Sequence, residues 1–566
     1  MRHLGRSATL YRSGPGLGWC CMIVATRILV GLVLAVLAAG CADAAAPAAD
    51  ASGDTVGGDG TTKVSTTSIW SCGSPAECEG KASARLEAVR GDPVALQALL
   101  LAFPKGADLH NHMTGAIYAE TYFSWATADN LCYQPSDLGL DNCGAKGAVA
   151  LPTAGSGVFD DLVRAWSMKD FPPPIGAKAI LASHDHFFAT FSKFGPAISG
   201  HYGDILADLK QRAAEEHTLY LELMITPYVK NLSNLADASC PKNLTDFAGC
   251  LAALLADPGL AVGLAAASAA LDEQEAAARK QLQCDSATPK AGCATVVRYL
   301  FQGKRLDTNN RVFAQIVAGF ELSKADPRVV GVNLVQPEDA NNALNNYDKH
   351  MQMVAFLGQK YAGTGGRISL HAGELSPEIL SANEQVHLQS HVRKAVEVAG
   401  AHRIGHGADL LLETDYLATM QKMKQSKVAV EICPSSNYMI LGITGAAHPA
   451  KMLLAAGVRI AIATDDQGVA RSNLTLEYQR AVADLGLTYA HIKASTRASL
   501  ETAFVQGASL WADLEAGTPV QACASPQTST LGHPTPSPAC AALLASSVKA
   551  KLQYQLEAAL GAFEAQ

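Results

Sequence analysis

The sequence predicts an α/β chain whose body is a (β/α)8 barrel with inserted loops and helices and an N-terminal tether. Between Lys105 and about Ala470, eight short apolar, β-prone runs alternate with helical stretches, which is the pattern of a closed parallel barrel. Nearly every run ends, at its C-terminal side, in a residue able to do chemistry, and barrel sites lie at that face. A content of 49% hydrophobic against 17% charged residues supplies a large core and excludes global disorder. A doubly wound open sheet is the alternative, but no glycine-rich dinucleotide fingerprint follows the first run.

Taken in order, the chain opens with a processing signal. The thirteen apolar residues 28–40 (ILVGLVLAVLAAG) are too short to span a bilayer as a helix and fit a signal-peptide core, with Arg27 as the nearest preceding charge. Residues 1–40 are thus read as a signal peptide. The segment AAGC (38–41) resembles a bacterial lipobox, which implies lipidation of Cys41. Residues 41–70, rich in Ala, Gly, Ser and Thr, read as a flexible tether, and 71–104 as a helical extension. The expected address is the periplasm or cell surface, with membrane contact only through a lipid at Cys41. The formal net charge of −8 argues against a nucleic-acid partner, whose binding needs a basic surface.

The eight runs are 105–110, 218–225, 260–266, 328–335, 367–371, 403–406, 427–432 and 458–464. Helical patterns fill 205–216, 270–283, 340–361, 386–399, 413–425 and 448–456. The barrel body is placed at 105–515, with an insertion at about 120–180 after the first strand. Residues 516–566 read as a Pro/Ser/Thr-rich loop and a final amphipathic helix at about 542–565. Ten cysteines fall in close pairs: Cys72/Cys78, Cys132/Cys143, Cys240/Cys250, Cys284/Cys293 and Cys523/Cys540. Cys433 sits alone in an apolar strand. Close pairs in loop-like sequence predict local disulfides made in an oxidising compartment, since the CxxC spacing of a zinc ribbon is absent.

The polar residues at the strand ends are His110 and His112, Glu222, Asn333, His371 and Glu374, His406, Glu431, then Asp465 and Asp466. His110 and His112 alternate on one strand, so both imidazoles face one side. With His371 and Asp465 they form a set suited to Zn²⁺ or another borderline divalent ion, one per chain, with a position left for water. Such an ion lowers the water's pKa toward ~7.

The segments PKGADLHNHMTG (104–115), SLHAGE (369–374), RIGHG (403–407), EICPSSN (431–437) and ATDD (463–466) resemble, in order and spacing, the adenosine deaminase superfamily of amidohydrolases. The resemblance covers most of 104–510. The cysteine-bearing insert and the segment HFFATFSKF (186–194) are most similar to the secreted adenosine-deaminase-related growth factor branch. The resemblance implies hydrolytic deamination of adenosine or 2′-deoxyadenosine, a small purine nucleoside partner, and a homodimer as in related secreted enzymes.

It also implies roles. His110, His112, His371 and Asp465 hold zinc, and Glu374 protonates purine N1, which requires a raised pKa. His406 orients the attacking water and stabilises the developing charge, with acceptance of the water's proton as a further role, and Asp465 shares the role of base. Asp466 meets purine N7, and Phe187 and Phe191 lie over the substrate, although core packing accounts for them equally well. A dinuclear amidohydrolase is disfavoured, because no Lys ends the fourth strand.

Three departures from the family pattern bear on specificity. Thr114 stands where an acidic residue meets the ribose 5′-hydroxyl, Gln336 where a Gly meets purine N3, and Gln467 where Pro follows the aspartate pair. Adenine and 5′-modified adenosines are therefore alternative substrates, and a non-catalytic nucleoside-binding lipoprotein is the alternative from another class.

Other polar residues invite plainer readings. His184 and His186 lie in a helical run where i, i+2 residues diverge. His387 and His391 read as a solvated helix face, lacking the H-E-x-x-H pattern. Glu222 and Glu431 either orient the ligands or are satisfied barrel polar groups. The serines of CPSSN, with no nucleophile elbow around them, are read as hydrogen-bonding the mouth of the seventh strand.

Overall fold

The computed structural model describes residues 72 and 74–566, apart from 228, 230 and 525–530. The expected signal peptide, tether and Cys41 lie outside the described residues. Eight strands form the central sheet: β1 (Gly106–His112), β2 (Thr218–Ile225), β3 (Val296–Lys304), β4 (Val329–Val335), β5 (Arg367–Ala372), β6 (Arg403–His406), β7 (Ala429–Ile432) and β8 (Arg459–Ile462). They pair in chain order, all parallel. The sheet closes just beyond β8. Asp465 donates its backbone N–H to the His110 carbonyl at 2.7 Å and accepts from the His112 N–H at 3.4 Å, a parallel bridge between Asn111 and Asp465. The predicted barrel is therefore present.

One strand was misplaced by the sequence reading. Residues 260–266 lie within a helix, Pro258–Gln281, and the third strand is Val296–Lys304. The helix begins at an Asp257 cap whose side chain accepts from the Gly259 N–H, with Pro in the first turn. An Ala-rich continuation favours the helix at little entropic cost. VVRYLFQGK, by contrast, is β-branched and aromatic, as a strand buried on both faces requires.

The insertion between β1 and β2 holds four longer helices (Ala119–Ala128, Gly157–Ala165, Ala177–Ala189, Tyr202–Glu215) and a small antiparallel sheet of three two-residue strands. Trp166, fully buried there, donates its indole N–H to the Leu138 carbonyl at 2.7 Å. The expected final helix is two helices, Pro538–Ser546 and Val548–Glu564. Ser547 divides them, capping the second by accepting from the Ala550 N–H at 3.0 Å. That second helix clasps the body through Arg497–Glu557 pairs at 2.6 and 2.7 Å and Tyr489–Glu564 at 2.8 Å. It also meets the first N-terminal helix, where Arg85 donates to the Phe563 carbonyl at 2.7 Å. All five close cysteine pairs are disulfide-bonded, and Cys433 is free and buried.

Candidate metal centre and its cavity

The ligand atoms of His110, His112, His371 and Asp465 all lie within 4.8 Å of one another at the C-terminal mouth of the barrel. His371 Nε2 is 3.1 Å from Nε2 of both His110 and His112. Asp465 Oδ1 is 3.3 Å from His112 Nε2 and 3.6 Å from His110 Nε2.

Behind each imidazole stands an acceptor for its other nitrogen. His110 Nδ1 donates to Glu431 at 2.6 Å, His112 Nδ1 to Gln302 Oε1 at 3.0 Å and His371 Nδ1 to Asn333 Oδ1 at 2.9 Å. With the protons on Nδ1, three Nε2 lone pairs converge beside a carboxylate oxygen that is buried and without a hydrogen-bond partner among the described residues. Lone pairs facing each other at such distances repel unless a cation lies between them, so the donor set fits a divalent ion.

The polar groups beneath settle the two carboxylates the sequence left open. Glu431 orients a ligand. Burial works to raise its pKa, but the Arg403 guanidinium and the His110 hydrogen bond hold it at about 2. Glu222 touches no ligand. It receives a 2.5 Å bond from Arg403, which donates to Glu431 at 2.5 Å as well, all three side chains being fully buried. Arg403 thus carries the position of His110 down to the barrel centre. Gly405 permits the approach, since a Cβ there would stand 2.5 Å from His110 Cε1.

Glu374 and His406 adjoin the same point, with Glu374 Oε1 3.6 Å from His406 Nε2. Burial first, then the charges of Asp465 and Glu338, raise the Glu374 carboxyl well above its ordinary value. Burial likewise raises Asp466, whose Oδ1 is buried without a partner. Asp465 is held low despite burial by the neighbouring His112, His406 and His110 imidazoles. Its Oδ2 accepts from the Ser436 hydroxyl at 2.5 Å, so the CPSSN serines do hydrogen-bond the strand-seven mouth.

A cavity of about 660 Å³ opens over this centre. His112, Thr114, Phe187, Phe191, Gln336, His371, Glu374, Asp465 and Asp466 all contribute to its wall, with Gln302 and Ala270 among the other lining residues. Phe187 is buried and its ring lies 6.0 Å from that of Phe191. Gln336 has φ +84°, the conformation glycine prefers, and its side-chain Oε1 accepts from the Leu306 N–H at 3.0 Å, so its bulk is tied to a neighbouring loop. Gln467 is buried outside this wall.

The two histidine decoys separate. His184 bonds Asp185 and Asp339 at 3.0 and 3.2 Å, while His186 stacks on Phe171 and donates to backbone carbonyls. The solvated-face reading of His391 is wrong: only 1% exposed, it bonds Glu338 at 2.5 Å. Glu338 in turn accepts from the backbone N–H groups of Gly373 and Glu374 at 3.2 and 3.1 Å, so the pair braces the turn that presents Glu374. An i, i+4 spacing cannot reveal a partner from another strand.

Sequence reasoning also missed Gln302, Asn437 and Arg403. Gln302 was hidden by the misplaced third strand. Arg403 was signalled by an ionisable residue opening an apolar strand.

Comparison with known proteins meets the same residues. The family described as Adenosine deaminase matches 263–510, a stretch that includes His371, Glu374, His406, Asp465 and Asp466 but begins after His110 and His112. An adenine deaminase of Rhizobium leguminosarum bv. trifolii is 30% identical over 190 residues, 33% of this chain and 52% of that protein. An adenosine deaminase of Clostridium perfringens is 26% identical over 186 residues, 33% of this chain and 51% of that protein. The chain spans about half the length of the curated relatives it matches. Among solved structures, the adenine deaminase from Arthrobacter aurescens aligns with a TM-score of 0.43 and 17% identity, covering 71% of this chain and 94% of that one. Residues 263–510 of the chain thus belong to the adenosine deaminase family, and they meet the upstream His-x-His strand at one mouth.

Proposed function

We propose that this protein is an exported, zinc-dependent aminohydrolase that replaces the 6-amino group of a purine nucleoside with oxygen and releases ammonia. The observation that carries the reading is the convergence of three Nδ1-anchored imidazoles and Asp465, with Glu374 and His406 beside them on one cavity wall. Imidazole nitrogens with one carboxylate suit zinc in a site that keeps an open position. An ion held by His110, His112, His371 and Asp465 supplies, when bound, Lewis acidity and a water of lowered pKa.

The protein side chains do the rest. Glu374, kept neutral by burial, presents a proton to purine N1, and protonation there prepares C6 for attack. Asp466 hydrogen-bonds the purine at N7. Phe187 and Phe191 cover the ring and exclude water from it.

Two observations bear on the substrate. A cavity of about 660 Å³ is of the size that takes a drug-sized ligand, which supports a nucleoside, adenosine or 2′-deoxyadenosine. The name of the Rhizobium relative supports adenine as the second reading. Thr114, uncharged, supports tolerance of 5′-modified adenosines. Export is supported by the five disulfides and by residues 28–41, and mass analysis of the mature N-terminal peptide tests lipidation of Cys41.

The test of function is ultraviolet loss on adenosine, 2′-deoxyadenosine, adenine and 5′-deoxy- and 5′-thioadenosines, before and after chelation. Zinc-dependent turnover with nucleosides preferred is expected. Turnover of adenine alone overturns the nucleoside assignment, and no turnover of any compound overturns the deaminase reading in favour of a nucleoside-binding protein.

A further inference from the structure

Four imidazoles crowd the mouth of the barrel, and three are backed by acceptors. The fourth, His406, is backed by a different arrangement, and the hydrogen bonds behind it determine where its proton lies. The backbone N–H of Ala450 donates to His448 Nδ1 at 3.2 Å, so that nitrogen carries no proton. His448 is 3% exposed, and burial holds its pKa down to about 4. The neutral ring therefore bears its proton on Nε2, which lies 3.1 Å from Asn437 Oδ1.

Because His448 donates, the Asn437 oxygen must be the acceptor, and the Asn437 amide nitrogen faces the other way. That Nδ2 lies 3.1 Å from His406 Nδ1. An amide nitrogen only donates, so His406 Nδ1 accepts and its proton resides on Nε2. His406 Nε2 is buried and has no hydrogen-bond partner among the described residues. It lies 3.6 Å from Glu374 Oε1, in a ring 4.8 Å from that of His110 and 5.1 Å from that of His371. The backbone of His406 is held at φ +67°, so the ring's aim is fixed by the surrounding structure against local preference.

We propose that Asn437 and His448 are positioning residues that lock the proton of His406 on Nε2, so that His406 meets the attacking oxygen as a hydrogen-bond donor and not as its base. The inference rests on the deaminase reading for its catalytic meaning, but its tautomer is a property of the protein itself. Of the roles the family resemblance implied for His406, it keeps the orientation of the water and the stabilisation of charge and removes the acceptance of a proton. A ring whose Nδ1 already accepts and whose Nε2 already carries hydrogen has no lone pair with which to take a proton from water. Its N–H instead orients the oxygen and stabilises the negative charge that develops on it. The proton of the water then falls to a carboxylate, and Asp465, which faces the same point as His406, is the acceptor.

The experiment is ¹H–¹⁵N long-range correlation on the zinc-loaded full chain labelled with [¹⁵N]histidine, with assignment by comparison to a His406→Gln variant. A protonated Nε2 and an unprotonated Nδ1 are expected for His406. A His406 protonated on Nδ1 overturns the proposal without recourse to any variant. The kinetic arm uses Asn437→Asp, whose carboxylate can only accept and so draws the proton to Nδ1. Its kcat is expected to fall about 100-fold or more with KM within about threefold. An Asn437→Asp protein that inverts the tautomer yet keeps its kcat overturns the donor role. His448→Leu is expected to lower kcat about tenfold, and His448→Gln, whose amide repeats the donor–acceptor polarity, to recover most of that loss. If no purine is turned over, the deaminase reading fails while the spectra still decide the tautomer.

Discussion

Gln336, His406 and Asp465 adopt left-handed backbone conformations, with φ of +84°, +67° and +58°, at the ends of three different strands. Each such residue costs on the order of 1–3 kcal/mol, which the surrounding network must offset. Gly115 meets the related demand of close approach, because a Cβ there would lie 1.6 Å from Asp466 Oδ1. At this scale the proton donor is the sharpest test. Glu374→Gln keeps the shape but holds no acidic proton, so kcat is expected to fall about 10²–10⁴-fold while zinc content, measured by atomic emission, stays at the parent level.

A second residue-scale prediction concerns Glu477, fully buried beneath the mouth. It accepts from the Ser435 N–H at 2.8 Å and from the Ser472 hydroxyl. Burial pushes its carboxyl up from 4.5 to about 7 despite those bonds. Between these two values the folded state binds a proton that the unfolded state has released, so this group makes stability fall as pH rises. Glu477→Gln removes that slope. Relative to the parent, the variant is expected to gain up to ~3 kcal/mol between pH 4.5 and 8, read from urea unfolding at each pH. A constant difference across that range would show that Glu477 stays ionised.

Among the elements, the helix Pro258–Gln281 shows what the sequence concealed. Seven of the eight strands were legible because β-branched runs with a chemical residue at the end suit nothing else. The third was not, since an Ala-rich apolar run reads alike for a buried strand and a helix. The site was legible wherever motif and strand end coincided, at His110, His112, His371, Glu374 and Asp465. It was illegible where a partner came from the misplaced strand, as with Gln302, or from a distant helix, as with His391. The helix that contains the misread segment contributes Ala267, Ala270 and Leu271 to the cavity wall. Ala270→Phe is therefore expected to fill part of that cavity, raising KM for adenosine about tenfold or more and leaving adenine turnover within about threefold. Equal loss on both compounds would place Ala270 against the purine itself.

For the molecule as a whole, the barrel seam and the metal centre are one structure. Asp465 closes β1 to the chain beyond β8 through its backbone and faces the ion position through its side chain. An ion held only by the folded state adds to its stability by mass action. Chelation is expected to lower the Tm measured by differential scanning fluorimetry by several degrees, with recovery on adding zinc. An unchanged Tm would mean that the four groups hold no ion. Reduction of the disulfides acts on a separate part of the ledger, since each constrains a short loop in the unfolded chain.

The same seam sets an order of events during biosynthesis. His110 and His112 emerge early and Asp465 late, so no nascent chain ending before Asp465 carries all four donors. Capture of an ion by all four donors must therefore follow completion of the barrel, however well the first strands pair on the ribosome. The full donor set assembles only after the last strand has found the first.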